Sequence, residues 1–210
     1  MGEKNILARE CYEQLLVHLK RFSTISREGV DQLIPYLEIR RFDKKIKLVN
    51  HGEMEDFLNV VIKGLVRKYV PSSIKGEVTL QLATEGHIIQ SEISFHRRIP
   101  SDVVIQTLEP TVLVSIHYDR MQEALNVVPE AEALGRAMIM QMFIKKDARY
   151  FEQLNTSTRD RFLEYMNNHP HMLQRVPQKI LASYLNIKPE TFSRLKHLLF
   201  QKPPSPLKGG

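Results

Sequence analysis

The chain has 210 residues, of which 42% are hydrophobic, and this is enough for one large or two small domains with a buried core. Its net charge of +6 favours polyanionic partners, and the excess lies near the C-terminus, where nine Lys and Arg residues stand against three acidic residues between Arg159 and Lys208. The single cysteine, Cys11, excludes an internal disulfide and a metal centre built from several thiolates.

Residues 5–38 are predicted to form two helices. Apolar residues recur at helical spacing along the first: Leu7, Cys11, Leu15, Leu16 and Leu19. Ser26 is a suitable N-cap for the second helix, which we expect to reach Leu37. On such an apolar face Cys11 is expected to be a small core residue.

No segment has the pattern of a targeting or membrane-spanning sequence. The first residues contain no continuous apolar region, so we expect no signal peptide. No stretch approaches about 18 apolar residues, so we expect no transmembrane helix and no membrane partner. Together with the single cysteine, these features predict a reducing, cytoplasmic location.

From about Ile39 the pattern changes to short strands separated by turns. Three strands are predicted at Phe57–Lys63, Val103–Leu108 and Thr111–His117. Two more are predicted where apolar or long side chains alternate with others, one through Val66, Lys68 and Val70 and one through Val78, Leu80 and Leu82. The strands 103–108 and 111–117 are joined by Glu109-Pro110 and are expected to form a pair. The spacing of strands and turns predicts a small antiparallel barrel or sandwich.

A long helix is predicted to begin at Pro129 and to run towards Leu154. Its apolar residues lie on more than one side and include Met138, Ile139 and Phe143. Because a helix that is apolar on two faces must be covered on both, one face can pack on the β-region and the other on a second copy of the chain. The alternative is a single central core helix without a dimer.

The segment Gln178–His197 is predicted to form two short helices joined by a tight turn. Asn186 is expected to adopt a left-handed conformation, Ile187 to pack inward, and Pro189 to begin the second helix. The first helix has apolar residues on one side and a small residue where the helices cross: Ile180, Leu181, Ala182, Tyr184 and Leu185.

The second of these helices has an apolar and a polar face. Phe192, Leu195 and Leu199 share one face. The opposite face contains Glu190, Ser193, Arg194 and His197. Such side chains can read base edges in a major groove. An ordinary pair of packed helices has the same two faces and is the alternative.

These 20 residues resemble the DNA-binding helix-turn-helix, and PETFSRL is similar to the recognition helix of the Crp/Fnr family of bacterial transcription regulators. The order of helices, β-region, long helix and helix-turn-helix also resembles that family. The resemblance implies an α+β fold with an N-terminal double-stranded β-helix (jelly-roll-like) sensor domain, a long dimerisation helix and a C-terminal winged helix-turn-helix domain. The implied divisions are 1–118 for the N-terminal helices and β-roll, 119–155 for the connecting and dimerisation helix, 156–200 for the DNA-binding domain and 201–210 for a flexible tail.

The resemblance assigns roles to residues of the second helix. Glu190, Ser193 and Arg194 would face bases, with His197 a weaker candidate; Arg194 suits guanine O6 and N7, and Glu190 suits a cytosine amino group. The preceding position, often an Arg in the family, is Pro189 here, so we expect a base preference different from that of the cyclic-AMP-dependent regulators. Phosphate contacts are implied at Gln178, Lys188 and Thr191.

The effector segment departs from the pattern of cyclic-AMP-binding family members, which have a Gly-Glu pair followed later by an Arg-Ser pair. Here Gln90 replaces the Gly, and either Ser91 or Glu92 takes the carboxylate position. Ser101 is in place, but Pro100 replaces the Arg, so a buried phosphate would have to take its cation from the nearby Arg97 or Arg98. We therefore expect an effector other than cyclic AMP, bound near Glu92 and Ser101, or none.

The sequence as a whole predicts a homodimeric, sequence-specific DNA-binding transcription regulator that reads a palindromic site. Double-stranded DNA and a second copy of the chain are the expected partners, with RNA polymerase if the protein activates. We expect no metal, no cofactor and no enzymatic activity, because the histidines lack metal-ligand spacing and no catalytic motif occurs. The alternative is a cyclic-nucleotide-type ligand-binding signalling module whose C-terminal helices make protein contacts.

Overall fold

The computed structural model describes residues 2–74 and 76–200, which form two compact units divided between Arg149 and Tyr150. The division falls inside the long helix α5 (Pro129–Asn155), which begins at Pro129 as predicted. The domain boundaries expected from the sequence stay a prediction. Residues 201–210, expected to be a flexible tail, lie outside the described residues.

The first unit begins and ends with helices, and between them lie eight strands and one short helix among the described residues. Its elements are α1 (Gly2–Leu19), α2 (Arg27–Leu33), β1 (Leu37–Phe42), β2 (Lys47–Val49), β3 (Phe57–Lys63), β4 (Val66–Ser72), β5 (Gly76–Ala83), β6 (Ile88–Ile89), α3 (Glu92–Arg97), β7 (Val104–Thr107), β8 (Thr111–His117), α4 (Tyr118–Val127) and the larger part of α5.

The strands form two antiparallel four-stranded sheets, in the orders β1-β8-β3-β6 and β2-β7-β4-β5. We call these two sheets and the connections between their strands the β-roll. The predicted antiparallel β-fold is therefore confirmed. The expected pair of 103–108 with 111–117 is wrong, because β7 is hydrogen-bonded to β2 and β4 while β8 is hydrogen-bonded to β1 and β3. Both strands already have a neighbour on each side, so the Glu109-Pro110 link crosses from one sheet to the other.

The apolar side chains of β3 are buried on both of its faces. Successive side chains of a strand point to opposite sides, and Val61 accordingly packs between the two sheets while Val60 and Ile62 pack against the helices. The layer between the sheets also contains Val66, Ile89, Ile105 and Leu113. The layer on the helical side contains Leu15, Leu19, Val30, Leu134 and Met138. Cys11 belongs to the helical layer, which confirms its predicted place in the core.

The second helix is shorter than predicted and ends at Leu33. Pro35 has no N–H to continue the helical hydrogen bonds, so a 3₁₀ turn follows, and Leu37 begins β1 instead of ending a helix. The N-cap prediction is confirmed, because the backbone N–H of Gly29 donates to Ser26 Oγ at 2.9 Å.

All regular secondary structure of the second unit within residues 150–200 is helical. After the end of α5 come α6 (Thr158–Asn168), α7 (Met172–Arg175), α8 (Gln178–Tyr184) and α9 (Pro189–Lys196), followed by a 3₁₀ turn. The rings of Phe162 and Phe192 pack edge to face with centroids 5.0 Å apart and are fully buried. No β-strand occurs in this range, so the winged form of the helix-turn-helix is not found in it. The apolar residues here recur at helical spacing and not at alternate positions.

Among the helices that the structure describes, none is both long enough and apolar enough to cross a membrane.

Candidate functional site

The turn between α8 and α9 has the conformation predicted from the sequence. Asn186 has a φ of 55°, which is the left-handed region that asparagine tolerates better than most residues. The N–H of Ile187 donates to the carbonyl of Ala182 at 2.9 Å, and the side chain of Ile187 is buried. Ala182 is fully buried, as expected for a small residue at a helix crossing. This turn sets the direction in which α9 leaves α8.

Helix α9 is anchored by one face and exposes the other. Phe192 is 1% exposed, whereas the four predicted base-reading residues are all exposed: Glu190, Ser193, Arg194 and His197. At 100° per residue these four lie on one side of the helix. The guanidinium of Arg194 donates to Thr191 Oγ1 at 3.4 Å, a long contact that leaves the group free to reach outward. The structure therefore presents the predicted side chains together on one surface.

The three predicted phosphate-contacting residues lie near helix starts. Gln178 is the first residue of α8, Lys188 is the N-cap residue of α9, and both are exposed. Thr191 is half-buried in the first turn of α9. Lys179 is also exposed beside Gln178, and the sequence pattern alone did not single it out. The contacts of these residues with DNA stay predictions.

Helix α5 is apolar on two sides, as predicted. Within the first unit, Ala131, Leu134 and Met138 are buried against the helical layer of the core. The opposite side contains exposed apolar side chains: Ile139 (59% exposed), Met140 (59%), Phe143 (66%) and Ile144 (48%). In the second unit, Tyr150, Phe151 and Leu154 are exposed as well. Several large exposed apolar side chains on one helix face are the mark of an interaction surface.

The two predicted effector residues are already engaged within the β-roll. Both carboxylate oxygens of Glu92 accept hydrogen bonds from Lys68 Nζ at 2.8 Å. Ser101 Oγ lies 2.8 Å from Ser91 Oγ and 2.8 Å from the carbonyl oxygen of Val103. Glu92 and Ser101 therefore both have hydrogen-bond partners within the chain.

Lys68 is a site residue that the sequence did not identify. It is 4% exposed, and its ammonium also donates to the carbonyl of Gln90 at 3.1 Å. Burial lowers the pKa of Lys68, and the charge of Glu92 opposes this effect. Burial by itself would raise the pKa of Glu92, but the charge and hydrogen bonds of Lys68 outweigh it and hold that pKa below its ordinary value. One feature of the sequence indicates that Lys68 is buried: it shares an alternating set with the apolar residues Val66 and Val70 and so lies on the same face of the strand.

Glu55 fixes the start of the segment that contains Glu92. Its carboxylate accepts hydrogen bonds from the backbone N–H of Phe57 at 3.0 Å and of Ser91 at 3.2 Å, and the side chain is 2% exposed. Burial raises the pKa of Glu55 to about 7, because desolvation of the charged form outweighs these two hydrogen bonds. The folded protein therefore binds this proton more tightly than the unfolded chain.

We expect Glu55 to make the stability of the protein fall as the pH rises. The stabilising effect of its bound proton is fully present below its ordinary pKa of 4.5 and is lost as the pH rises to about 7, a loss of about 3 kcal/mol in the free energy of unfolding. Urea unfolding at pH 4.5, 6 and 8 should show that the stability of the wild type relative to Glu55→Gln falls by about this amount as the pH rises. Glu38→Gln, which changes an exposed carboxylate on β1, is the matched control. Equal slopes for wild type and Glu55→Gln would contradict the assignment.

No group of three or more histidine, cysteine or acidic side chains in the described part of the chain could hold a metal ion.

Comparisons with known proteins agree with this architecture. No protein-family model matches the sequence, and no curated protein matches it either. Among solved structures, the c-di-GMP-responsive global regulator CLP of Xanthomonas campestris superposes with a TM-score of 0.63 at 17% identity, over 83% of this chain and 92% of that one. The chain has the fold of the Crp/Fnr regulators.

Two further structures support this assignment of fold. A protein of Eubacterium rectale assigned to the Crp/Fnr family of transcriptional regulators gives a TM-score of 0.63 at 14% identity, over 84% of each chain. The catabolite activator protein of Thermus thermophilus gives a TM-score of 0.52 at 20% identity, over 87% of this chain and 90% of that one. The resemblance drawn from the sequence is thus confirmed for the Crp/Fnr-like fold.

Proposed function

We propose that this protein is a sequence-specific DNA-binding transcription regulator of the Crp/Fnr type. The observation on which the proposal rests is the exposed face of α9, where Glu190, Ser193, Arg194 and His197 lie together while Phe192 anchors the opposite side. The excess of basic residues between Arg159 and Lys208 supports it, because DNA binding draws on positive charge.

The dimensions and side chains of α9 suit a major groove. An α-helix with its side chains is about 10–12 Å in diameter and so fits a B-DNA major groove about 12 Å wide, and the eight residues of α9 give about two turns to place in it. We propose that Arg194 donates to guanine O6 and N7 and that Glu190 accepts from a cytosine amino group. Ser193 and His197 lie beside them as additional hydrogen-bonding groups, and Gln178, Lys188 and Thr191 would hold the phosphates.

We further propose that the protein acts as a homodimer through the exposed apolar face of α5. Ile139, Met140, Phe143 and Ile144 supply apolar area that a second copy of the same helix can cover. A two-fold dimer that places α9 in successive major grooves requires a palindromic site with half-site centres about 34 Å apart. Contact with RNA polymerase would follow if the protein activates transcription.

The test is selection of DNA sites from a random-sequence duplex library by the full-length protein. We expect enrichment of a palindrome, with selected DNA bound far more tightly than a scrambled duplex of equal length. A basic control protein of equal net charge should enrich nothing. If the wild type also enriches nothing, the alternative of a signalling module whose C-terminal helices make protein contacts takes precedence.

Lys188→Ala is expected to weaken binding to selected and scrambled DNA alike. A phosphate contact is independent of sequence, so its loss should lower the slope of log affinity against log salt by about 1 for each protomer. Fluorescence anisotropy titrations over a range of salt concentrations measure both effects. Lys44→Ala, which removes an equal charge from the exposed turn between β1 and β2, is the control and should leave the slope unchanged.

A further inference from the structure

A single carboxylate of the β-roll is shared by two lysines from different elements. Glu92, the first residue of α3, lies 2.8 Å from Nζ of Lys68 on β4 and 3.1 Å from Nζ of Lys146 on α5. We call these three residues the Glu92 clamp. We infer that the Glu92 carboxylate occupies the place of an anionic ligand and holds α5 against the β-roll, so that this unit keeps its α5-docked arrangement without a small molecule.

The inner half of the Glu92 clamp is the buried pair of Lys68 and Glu92, and it leaves Lys68 no free hydrogen-bond donor for an external anion. An ammonium group has three donors, and Lys68 directs its own towards the two oxygens of Glu92 and the carbonyl of Gln90. A buried cation needs a counter-charge, and here the chain supplies it. Because Glu92 is attached to the same chain, a diffusing anion would have to displace a partner that is always present.

The outer half of the clamp connects the β-roll to α5. Lys146 is 62% exposed along its side chain, and it reaches the same Oε1 oxygen of Glu92 that Lys68 contacts. One turn further along α5, Arg149 Nη1 donates to the backbone carbonyl of Leu80 on β5 at 2.7 Å. Two cations on successive turns of α5 therefore contact the β-roll, Lys146 at the first residue of α3 and Arg149 at β5.

The clamp explains the changes in the effector segment. Pro100 stands where the resemblance would place a phosphate-binding Arg, so the segment offers no cation to a phosphate at that position. The buried cation of the region comes from β4 instead, and its partner is the carboxylate of the segment itself. The loss of the Arg at Pro100 and the pairing of Glu92 with Lys68 therefore fit together, because one charge pair within the chain replaces the pair that a bound phosphate would form.

The clamp can be measured on α5 without DNA, so its test does not depend on the proposed function. Hydrogen–deuterium exchange of the full-length protein reports the opening of residues 140–149. Lys146→Met removes the outer contact alone, and the amides of this segment are expected to exchange about threefold faster than in the wild type, as is typical for the loss of a partly exposed ion pair. Lys145→Met is the matched control, because Lys145 is exposed on the same helix and has no ion pair among the described residues. Equal exchange in the two variants would overturn the inference.

A second pair of variants separates the clamp from the stability of the fold. Glu92→Gln leaves Lys68 buried without its counter-charge, and its melting temperature should fall. The double variant Lys68→Met/Glu92→Gln removes both charges and should regain most of that loss, yet residues 140–149 should exchange as fast as in Lys146→Met. Recovery of the melting temperature together with wild-type exchange would contradict the clamp.

Ligand addition tests the claim that no small molecule is needed. Cyclic AMP, cyclic GMP and cyclic di-GMP, each added to the wild type, should leave the exchange of residues 140–149 unchanged. Slower exchange with any of them would overturn the inference. If the exchange results hold but no DNA site is selected, the clamp stands and the proposed function fails.

Discussion

Arg194→Ala is expected to abolish sequence-specific DNA binding and to leave the fold intact. The guanidinium lies on the exposed face of α9, and its only partner among the described residues is Thr191 at 3.4 Å, so its removal costs the folded protein little. A bidentate arginine–guanine contact discriminates by about 1–3 kcal/mol, and a two-fold dimer makes it twice. The preference for selected over scrambled DNA should therefore fall by about 30-fold or more, as measured by competition titrations at fixed salt.

Lys196→Ala is the matched control for this experiment. It removes one positive charge from the same helix, but Lys196 is half-buried and lies about 160° around the helix from Arg194. The control should lower affinity slightly for all DNA and leave the preference unchanged. If Arg194→Ala and Lys196→Ala reduce the preference equally, α9 contributes only charge, and the assignment of Arg194 to a base contact is wrong.

The helix-turn-helix could be predicted closely because its determinants are local. The left-handed turn at Asn186, the start of α9 at Pro189 and the inward side chain of Ile187 each depend on residues close by in the sequence. Backbone preferences and 3.6-residue periodicity suffice for such a segment. The predicted wing is different, because the alternation that marks a strand is missing from residues 150–200.

The β-roll shows the limit of the same reasoning. Short runs rich in apolar and β-branched residues marked β3 and β8 correctly as strands, but such a run does not identify the partner of a strand, so the pairing of β7 with β8 was predicted wrongly. Glu92 was singled out as a ligand contact, while Lys68, 24 residues away in sequence, was not. Lys68 and Glu92 come together only because the chain crosses between the two sheets, and a local sequence pattern cannot predict which distant residues such a crossing brings into contact.

Phe143→Glu is expected to convert a dimeric protein into a monomer. Phe143 is 66% exposed at the centre of the apolar face formed with Ile139, Met140 and Ile144, so the substitution should hardly change the stability of one chain. In a two-fold helix pair, however, it would bury a carboxylate from each copy near the other, which desolvation and repulsion both oppose. Sedimentation equilibrium should give twice the chain mass of 24.5 kDa for the wild type and the single chain mass for the variant.

Ile74→Glu is the control that separates the interface from added charge. Ile74 is 92% exposed between β4 and β5, so the substitution introduces the same charge at an exposed apolar residue outside α5. This variant should remain dimeric and bind DNA like the wild type. Because one protomer can fill only one half-site, the Phe143→Glu monomer should lose at least about 100-fold in affinity for the palindrome. A dimeric Phe143→Glu would place the interface elsewhere, and a monomeric wild type would contradict the homodimer itself.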